Sequence, residues 1–399
     1  MAGLNDTPSG ERLHIGFFGV RNAGKSSLVN AVTGQALSVV SDVKGTTTDP
    51  VRKAMELLPL GPVVIIDTPG LDDEGALGSQ RAGRARRVLA ECDAAVLVLD
   101  APTGLTGLDR ELMALFDERR VPCVVAHNKA DLLTERPPLK ENEIYVSALM
   151  GEGVRELKER FAALAKGREA SRPLVADLLS PGDVVVLVVP IDESAPKGRL
   201  ILPQQQVIRD ILDAHCMAMT CQDTEVKEAL LRLSVPPRLV VTDSQAFGRV
   251  ARDVPGSVPL TSFSILFARY KGDLPALVRG AEKLADLKGG DKVLISEGCT
   301  HHRQCGDIGT VKLPAWIEKY SRVKPEYSFT SGGDFPGVDE LRNYALVVHC
   351  GGCTLNGREM QSRLERAAQA GVPIVNYGVA IAQMHGILQR SLEPFPGVL

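Results

Sequence analysis

The sequence predicts an α/β protein built from three successive units, and three observations support this prediction. At 399 residues the chain is longer than one hydrophobic core usually organises. Short apolar runs alternate with amphipathic stretches, which is the pattern of mainly parallel sheets covered by helices. Charged and small residues near 165–173, and a proline and glycine cluster near 255–259, mark two boundaries. We therefore expect units at 1–170, 171–261 and 262–399.

Each unit contains its own alternating elements. In the first unit the predicted strands are Ile15 to Val20, Val63 to Ile66, Ala94 to Leu99, Pro122 to Ala126 and Ile144 to Val146. In the second, strands Asp183 to Val189 and Arg238 to Thr242 flank helices Gln204 to Ala214 and Thr224 to Leu233. In the third we expect strands Phe263 to Phe267, Lys292 to Ser296, Ala345 to His349 and Pro373 to Asn376, and helices Leu274 to Leu287 and Arg358 to Gln369. Each of the three units is thus expected to be of the α/β class.

Composition and charge exclude several classes of protein. The net charge of −3 gives no basic surface for nucleic acid, and no apolar run reaches the ~20 residues of a membrane span. The first eleven residues have no apolar core, so we expect no secretory signal and a cytoplasmic location. Eight cysteines are too few for a disulfide scaffold.

A phosphate-binding loop follows the first predicted strand. Residues 19–26 read G-V-R-N-A-G-K-S, which matches G-x-x-x-x-G-K-[ST] between a strand and a helix. Glycines at Gly19 and Gly24 let backbone N–H groups point at the phosphates, while Lys25 supplies a cation to the β and γ oxygens. The hydroxyl of Ser26 is a ligand for Mg²⁺. Ser27, the first residue of the helical run after this loop, is also expected to bind the nucleotide.

Three further segments fit a guanine nucleotide. Asp67 ends an apolar strand, where its carboxylate can hold the water shell of Mg²⁺, and Gly70 can offer its N–H to the γ-phosphate. Thr47 lies in a polar loop between these motifs and is expected to complete the Mg²⁺ shell. The remaining predicted nucleotide-binding residues are Asn128, Lys129 and Asp131, then Ser147 and Ala148, again after apolar strands. The Asp131 carboxylate can accept two hydrogen bonds from guanine N1 and N2, but it would face the acceptor N1 of adenine. The sequence therefore predicts binding of GTP rather than ATP, and GTP hydrolysis.

The first unit resembles the translation-factor-related GTPases that carry Asn-x-Gly-Lys-Ser in this loop, here residues 22–26. The resemblance implies that Asn22 helps to bind K⁺, which replaces the arginine finger of other GTPases. Leu71 stands where Ras-like proteins have a catalytic glutamine. We therefore expect slow intrinsic turnover that K⁺ stimulates.

The third unit contains cysteines and histidines after two predicted strands. Cys299, His301 and His302 follow one strand, and His349, Cys350 and Cys353 follow another. Ligand sites form at such strand ends, so the two loops are expected to converge. Three thiolates and a replaceable fourth ligand suit a [4Fe–4S] cluster, whereas two thiolates and two histidines suit Zn²⁺. The residues alone leave both open, together with a metal-free dithiol and an undefined role for Cys305.

The two halves together resemble the [FeFe]-hydrogenase maturation GTPases of the HydF family, over essentially the whole chain. The pattern is Cys299-x-His301, forty-seven residues, then His349-Cys350-x-x-Cys353. The resemblance implies a GTPase domain, a middle dimerisation domain and a C-terminal iron–sulfur domain. It also implies that Cys299, Cys350 and Cys353 bind a [4Fe–4S] cluster, with His301, His302 or His349 as candidate fourth ligand. The carboxylate of Glu297 stays open as an alternative oxygen ligand.

The family resemblance further implies a scaffold for the diiron precursor of the hydrogenase active site. Its expected partners are radical-SAM maturases and the [FeFe]-hydrogenase apoprotein, and a homodimer is expected. The alternative is a tRNA-modification or ribosome-assembly GTPase with structural zinc, which the acidic net charge of −3 disfavours.

Overall fold

The computed structural model describes residues 7–35, 50–68, 78–166, 173–191, 200–299 and 307–398. The chain divides into two compact units, Met1–Ala170 and Ser171–Leu399. Several residues singled out above lie outside the described residues: Thr47, Gly70, Leu71, His301, His302 and Cys305.

The first unit is a six-stranded sheet within the described residues, in the order β2-β3-β1-β4-β5-β6. Its strands are β1 (Leu13–Phe18), β2 (Val51–Leu57), β3 (Gly61–Asp67), β4 (Ala94–Asp100), β5 (Cys123–Asn128) and β6 (Glu143–Tyr145). The helices are α1 (Lys25–Thr33), α2 (Gly78–Glu91), α3 (Gly107–Glu118) and α4 (Val154–Lys166). Only edge strand β2 runs antiparallel, against β3.

The central strands of this sheet are buried on both faces. Separate clusters of apolar side chains cover them, one containing Phe17 and Phe161 and the other Phe18 and Phe116. Strands of this kind read as continuous apolar runs, which explains why their positions are visible in the sequence. Their carboxyl ends carry the polar residues of the nucleotide motifs.

The second unit has two four-stranded parallel sheets within the described residues, ordered β10-β9-β7-β8 and β12-β11-β13-β14. The strands are β7 (Val184–Val188), β8 (Met217–Cys221), β9 (Leu239–Thr242), β10 (Leu260–Ser262), β11 (Lys292–Glu297), β12 (Glu326–Ser331), β13 (Leu346–His349) and β14 (Ile374–Asn376). The helices are α5 (Leu202–Asp213), α6 (Val226–Leu231), α7 (Phe247–Asp253), α8 (Phe263–Lys271), α9 (Leu274–Glu282), α10 (Leu313–Ser321), α11 (Val338–Leu341), α12 (Gly357–Ala370), α13 (Tyr377–Met384) and α14 (Leu388–Leu392). In the described part of the unit, one cluster of buried apolar side chains includes members of both sheets.

The predicted strand Phe263 to Phe267 is wrong, because these residues form the start of helix α8. The side chain of Ser262 accepts a hydrogen bond from the N–H of Ile265 and so caps the helix. Most of the residues of α8 are buried. A buried helix carries apolar residues on all of its faces, so its sequence does not show the 3.6-residue alternation of apolar and polar positions. The strand at this place is the shorter β10, which ends at Ser262.

The predicted α/β class is confirmed by these sheets and helices. Of the helices in the described residues, none is both long and apolar enough to cross a bilayer.

Candidate functional site

The phosphate-binding loop joins β1 to α1 through unusual backbone angles. Gly19, Asn22 and Gly24 have φ values of 144°, 61° and 86°. A Cβ on Gly19 would lie 2.3 Å from the carbonyl oxygen of Val98, and one on Gly24 would lie 2.2 Å from the amide nitrogen of Asn128. Both glycines are therefore required by conformation and by space.

Lys25 opens helix α1 and turns back across the loop. Its ammonium donates to the carbonyl oxygens of Gly19 and Val20, each at 2.9 Å. The side chain is buried rather than extended into solvent. The structure thus holds a cation against the loop predicted to receive the phosphates.

Ser26 and Asp67 meet beside this lysine. The Ser26 hydroxyl donates to Oδ2 of Asp67 at 3.0 Å. Within the described residues, Oδ1 of Asp67 is buried and has no hydrogen-bond partner. A buried carboxylate oxygen left in this way fits a site for a divalent cation, so the pair suits the Mg²⁺ that accompanies a nucleotide.

Asn128 clamps two loops together at the end of β5. Its amide nitrogen donates to the carbonyl oxygen of Ala23 at 2.9 Å, and its Oδ1 accepts from the N–H of Ala148 at 3.0 Å. The N–H of Ser147 donates to the carbonyl oxygen of Glu152 at 3.0 Å. The backbone N–H groups of Ser147 and Ala148 therefore both form hydrogen bonds within the protein. The Asp131 residue is exposed to solvent.

Lys129 follows with a left-handed backbone, at φ 63°. Its ammonium binds Oδ2 of Asp100 at 2.6 Å, at the end of the neighbouring strand β4. Asp100 was not among the residues predicted from the sequence. The available signal was its position, since it is a carboxylate at a strand end, as Asp67 is.

The cysteine loops converge because β11 and β13 are adjacent parallel strands, with Ser296 opposite His349. The N–H of Gly298 donates to Sγ of Cys350 at 3.0 Å, and the Thr354 hydroxyl donates to the carbonyl oxygen of Gly298 at 3.2 Å. Cys299 is the residue after Gly298. The structure therefore brings the backbone before Cys299 into contact with the loop of Cys350 and Cys353.

The two cysteines of this loop are partly buried. Burial raises the pKa of Cys350 to about 11, although the N–H groups of Gly298 and Gly352 favour its thiolate. Burial also raises the pKa of Cys353, and the Lys271 ammonium opposes that shift. A metal that displaces the thiol protons would fit such donors. Within the described residues, no three His, Cys, Asp or Glu side chains stand close enough together to hold a metal ion.

His349 is brought next to Cys350 but faces away from solvent. Its Nε2 lies 2.9 Å from Nη1 of Arg363, and its Nδ1 lies 2.7 Å from the carbonyl oxygen of Cys350. Burial, and then the Arg363 charge, lower the pKa of His349 to about 3. The imidazole is therefore neutral at physiological pH.

Family models match three segments of the chain. Residues 174–272 match the hydrogen maturase F dimerization domain, and residues 275–394 match the hydrogen maturase F tetramerization domain. These two segments span more than half of the chain. The chain belongs to the hydrogen maturase F family. Residues 14–129 match the family described as 50S ribosome-binding GTPase, and the chain is a GTPase.

Curated relatives match the chain in its GTPase part. The tRNA modification GTPase MnmE of Nitrosomonas europaea is 36% identical over 161 residues, which is 39% of this chain and 35% of that protein. MnmE of Xanthomonas oryzae pv. oryzae is 38% identical over 158 residues, covering 39% of this chain and 34% of its own. The chain thus spans about a third of the length of these relatives.

Two solved structures show a low similarity to this hydrogen maturase F chain. A probable GTP-binding protein engB is 24% identical, with a TM-score of 0.31, over 39% of this chain and 100% of that one. Era of Aquifex aeolicus is 15% identical, with a TM-score of 0.34, over 90% of this chain and 98% of that one.

Two positively charged side chains lie beside the cysteine loop of this hydrogen maturase F chain and were not identified from the sequence. Lys271 ends α8 and donates to the carbonyl oxygens of Cys353 at 3.3 Å and Leu355 at 2.8 Å. Arg363 lies on α12 and reaches His349. No sequence motif around either residue indicates a role at the cysteine loop, because only the folding of the chain brings each of them there.

Proposed function

We propose that the chain is a GTP-hydrolysing scaffold of hydrogenase maturation that binds a [4Fe–4S] cluster. In this proposal it assembles and carries the diiron precursor of the [FeFe]-hydrogenase active site. The observation that carries the proposal is the hydrogen bond from Gly298 N–H to Cys350 Sγ, which joins the two cysteine-bearing loops. Hydrogen bonds of this kind to cysteine sulfur are common at iron–sulfur sites and tune their potentials.

The proposed ligands are Cys299, Cys350 and Cys353. The backbone next to Cys299 contacts the loop that carries the other two cysteines, which supports this ligand set. His301, His302 and His349 are the candidates for the exchangeable fourth position. A cluster held by three thiolates carries negative charge, and the buried cations Lys271 and Arg363 favour such a group here.

GTP with Mg²⁺ is the proposed substrate of the first unit, with Asn22 as a K⁺ ligand. Hydrolysis would control contacts with partners through the loops around Thr47 and Gly70. We propose that the partners are the radical-SAM maturases and the hydrogenase apoprotein, that the chain acts in the cytoplasm and that it forms a homodimer. The dimerization and tetramerization domain matches support oligomerization.

Anaerobic reconstitution with iron and sulfide tests the proposed cluster. We expect a broad visible absorption in the wild-type chain and its loss in the triple variant Cys299→Ala, Cys350→Ala, Cys353→Ala. Cys221→Ala is the matched control, because burial also raises the pKa of Cys221 to about 11 and it lies at the end of a strand of the same unit. Colourless protein with tightly bound zinc would instead support the zinc-containing tRNA-modification or ribosome-assembly alternative.

A further inference from the structure

A buried arginine stands behind the cysteine loop. Arg363, on α12, is 0% exposed, and a guanidinium in such a place needs a partner for its charge and its N–H groups. Its Nε donates to Oε1 of Glu359 at 2.8 Å, and its Nη2 donates to the carbonyl oxygen of Gly332. Its plane also lies over the ring of Phe335, 5.1 Å from the centroid. The remaining contact, from Nη1, is to His349.

The contact with Arg363 fixes the state of the His349 ring. Arginine only donates hydrogen bonds, so Nε2 of His349 must be the acceptor over the 2.9 Å that separates it from Nη1. A neutral imidazole then carries its proton on Nδ1, which donates to the carbonyl oxygen of Cys350 at 2.7 Å. Both ring nitrogens are therefore occupied.

We propose that His349 is a positioning residue for the cysteine loop and not the fourth cluster ligand. The inference rests on the proposed cluster, and it assigns Glu359 and Arg363 to the same role. A chain of hydrogen bonds runs from Glu359 through Arg363 and His349 to the backbone of Cys350. For Nε2 to bind iron, the ring must leave Arg363, which would lose an acceptor in a pocket without solvent.

The loop is held from its other end by Lys271. This ammonium binds the carbonyl oxygens of Cys353 and Leu355, while the His349 ring binds that of Cys350. The two cysteines are thus fixed through their backbones, and their sulfurs remain available to a metal. Such outer contacts hold first-shell ligands in place and are worth about 10- to 100-fold in metal affinity when removed.

Two substitutions at His349 separate positioning from ligation. In His349→Gln the amide oxygen takes the place of Nε2 and can still accept from Arg363. In His349→Asn the amide nitrogen takes the place of Nδ1 and can donate to Cys350, but the acceptor for Arg363 is lost. His349→Gln thus loses the donor to Cys350, and His349→Asn the acceptor for Arg363. We expect iron loss to a chelator to be about 10- to 100-fold faster than wild type in His349→Ala, which loses both contacts, and slower than in His349→Ala in the two amide variants, each of which keeps one. Iron loss in both amide variants as fast as in His349→Ala would contradict the positioning role.

Pulsed EPR of the reduced, ¹⁵N-histidine-labelled protein gives the spectroscopic test. We expect the nitrogen couplings of the cluster to be the same in wild type and His349→Gln. A strong coupling that is present in the wild type and lost in both His349→Gln and His349→Asn would overturn the inference.

Arg363→Lys tests the arginine, with Arg366→Lys as its matched control. Arg366 lies on the same helix and over the same Phe335 ring, but its guanidinium donates to the carbonyl oxygens of Phe335 and Pro336 and approaches Oε1 of Glu359 only to 3.9 Å. We expect faster iron loss only in Arg363→Lys. Equal rates in the two variants would contradict the proposed chain.

A measurement on the metal-free protein keeps this inference separate from the proposed cluster. The ¹⁵N shifts of His349, assigned by comparison with His349→Gln, should show a protonated Nδ1 and an unprotonated Nε2, and the Nε2 shift should change in Arg363→Lys. A protonated Nε2 would refute the hydrogen-bond chain even if the cluster binds. Failure of the wild type to bind a cluster, with the expected shifts present, would reject the proposed function alone.

Discussion

Asp100 holds the lysine of the predicted guanine-recognition motif. The Lys129 and Asp100 side chains are 34% and 20% exposed, so solvent screens their ion pair only in part. Lys129 lies between Asn128 and Asp131 in a turn with a left-handed residue. Fixing its ammonium at the end of β4 therefore restrains the loop predicted to read the base.

Replacing Asp100 by Asn should weaken binding of GTP and GDP by about fivefold, or ~1 kcal/mol, because the charge that fixes Lys129 is lost. Fluorescent-nucleotide titration measures the Kd. The exposed Asp117, on α3, supplies the control Asp117→Asn, for which we expect an unchanged Kd. Unchanged affinity in Asp100→Asn would show that the ion pair does not position the loop.

Residues of the candidate site differ in how visible they are in the sequence. Gly19, Gly24 and Lys25 belong to one short motif, and the structure gives each a local role. Arg363 acts on a histidine fourteen residues away, across the break between two elements. Nothing in its sequence neighbourhood distinguishes it from an exposed helical arginine, so only the fold could show it.

At the scale of elements, strands buried on both faces were predictable and half-exposed ones were not. The predicted β1 and β4 overlap the observed strands because their apolar runs are continuous. Edge strands β8 and β12 have no such run, and their residues are largely half-buried or exposed. The prediction of a strand at Phe263 to Phe267 failed for the opposite reason. Helix α8 is mostly buried, and its apolar sequence resembles that of a buried strand. The boundary between the second and third predicted units, at 261/262, stays a prediction.

The cap of α8 is the element-scale feature that can be tested. Ser262 is wholly buried, and its Oγ accepts from the N–H of Ile265 at 3.2 Å and from the Ser244 hydroxyl at 3.1 Å. In Ser262→Ala both donors lose their acceptor, so we expect the free energy of unfolding of this unit to fall by about 1–2 kcal/mol.

Urea unfolding followed by tryptophan fluorescence measures this loss. The chain has one tryptophan, Trp316, so the signal reports the second unit alone. Ser257→Ala, at an exposed position, is the control and should change the free energy of unfolding by less than about 0.5 kcal/mol. A midpoint in Ser262→Ala that matches this control would mean that α8 does not depend on its cap.

At the scale of the whole molecule, the GTPase motifs and the cysteines lie in different compact units. Met1–Ala170 and Ser171–Leu399 each contain buried apolar clusters of their own. Sites supported by separate cores usually respond independently to substitution. The chemistry of GTP hydrolysis is therefore expected not to depend on the cysteine site.

GTPase assays in K⁺ and in Na⁺ test this independence together with the proposed K⁺ site. We expect faster turnover in K⁺, and a kcat within about twofold of wild type when Cys299, Cys350 and Cys353 are all Ala. Asn22→Gly should lose the K⁺ stimulation, because it removes the amide oxygen while glycine tolerates the φ of 61°. Equal rates in the two salts would reject the K⁺ site. A large fall in kcat in the triple cysteine variant would instead show that the second unit takes part in hydrolysis, which separate cores alone would not produce.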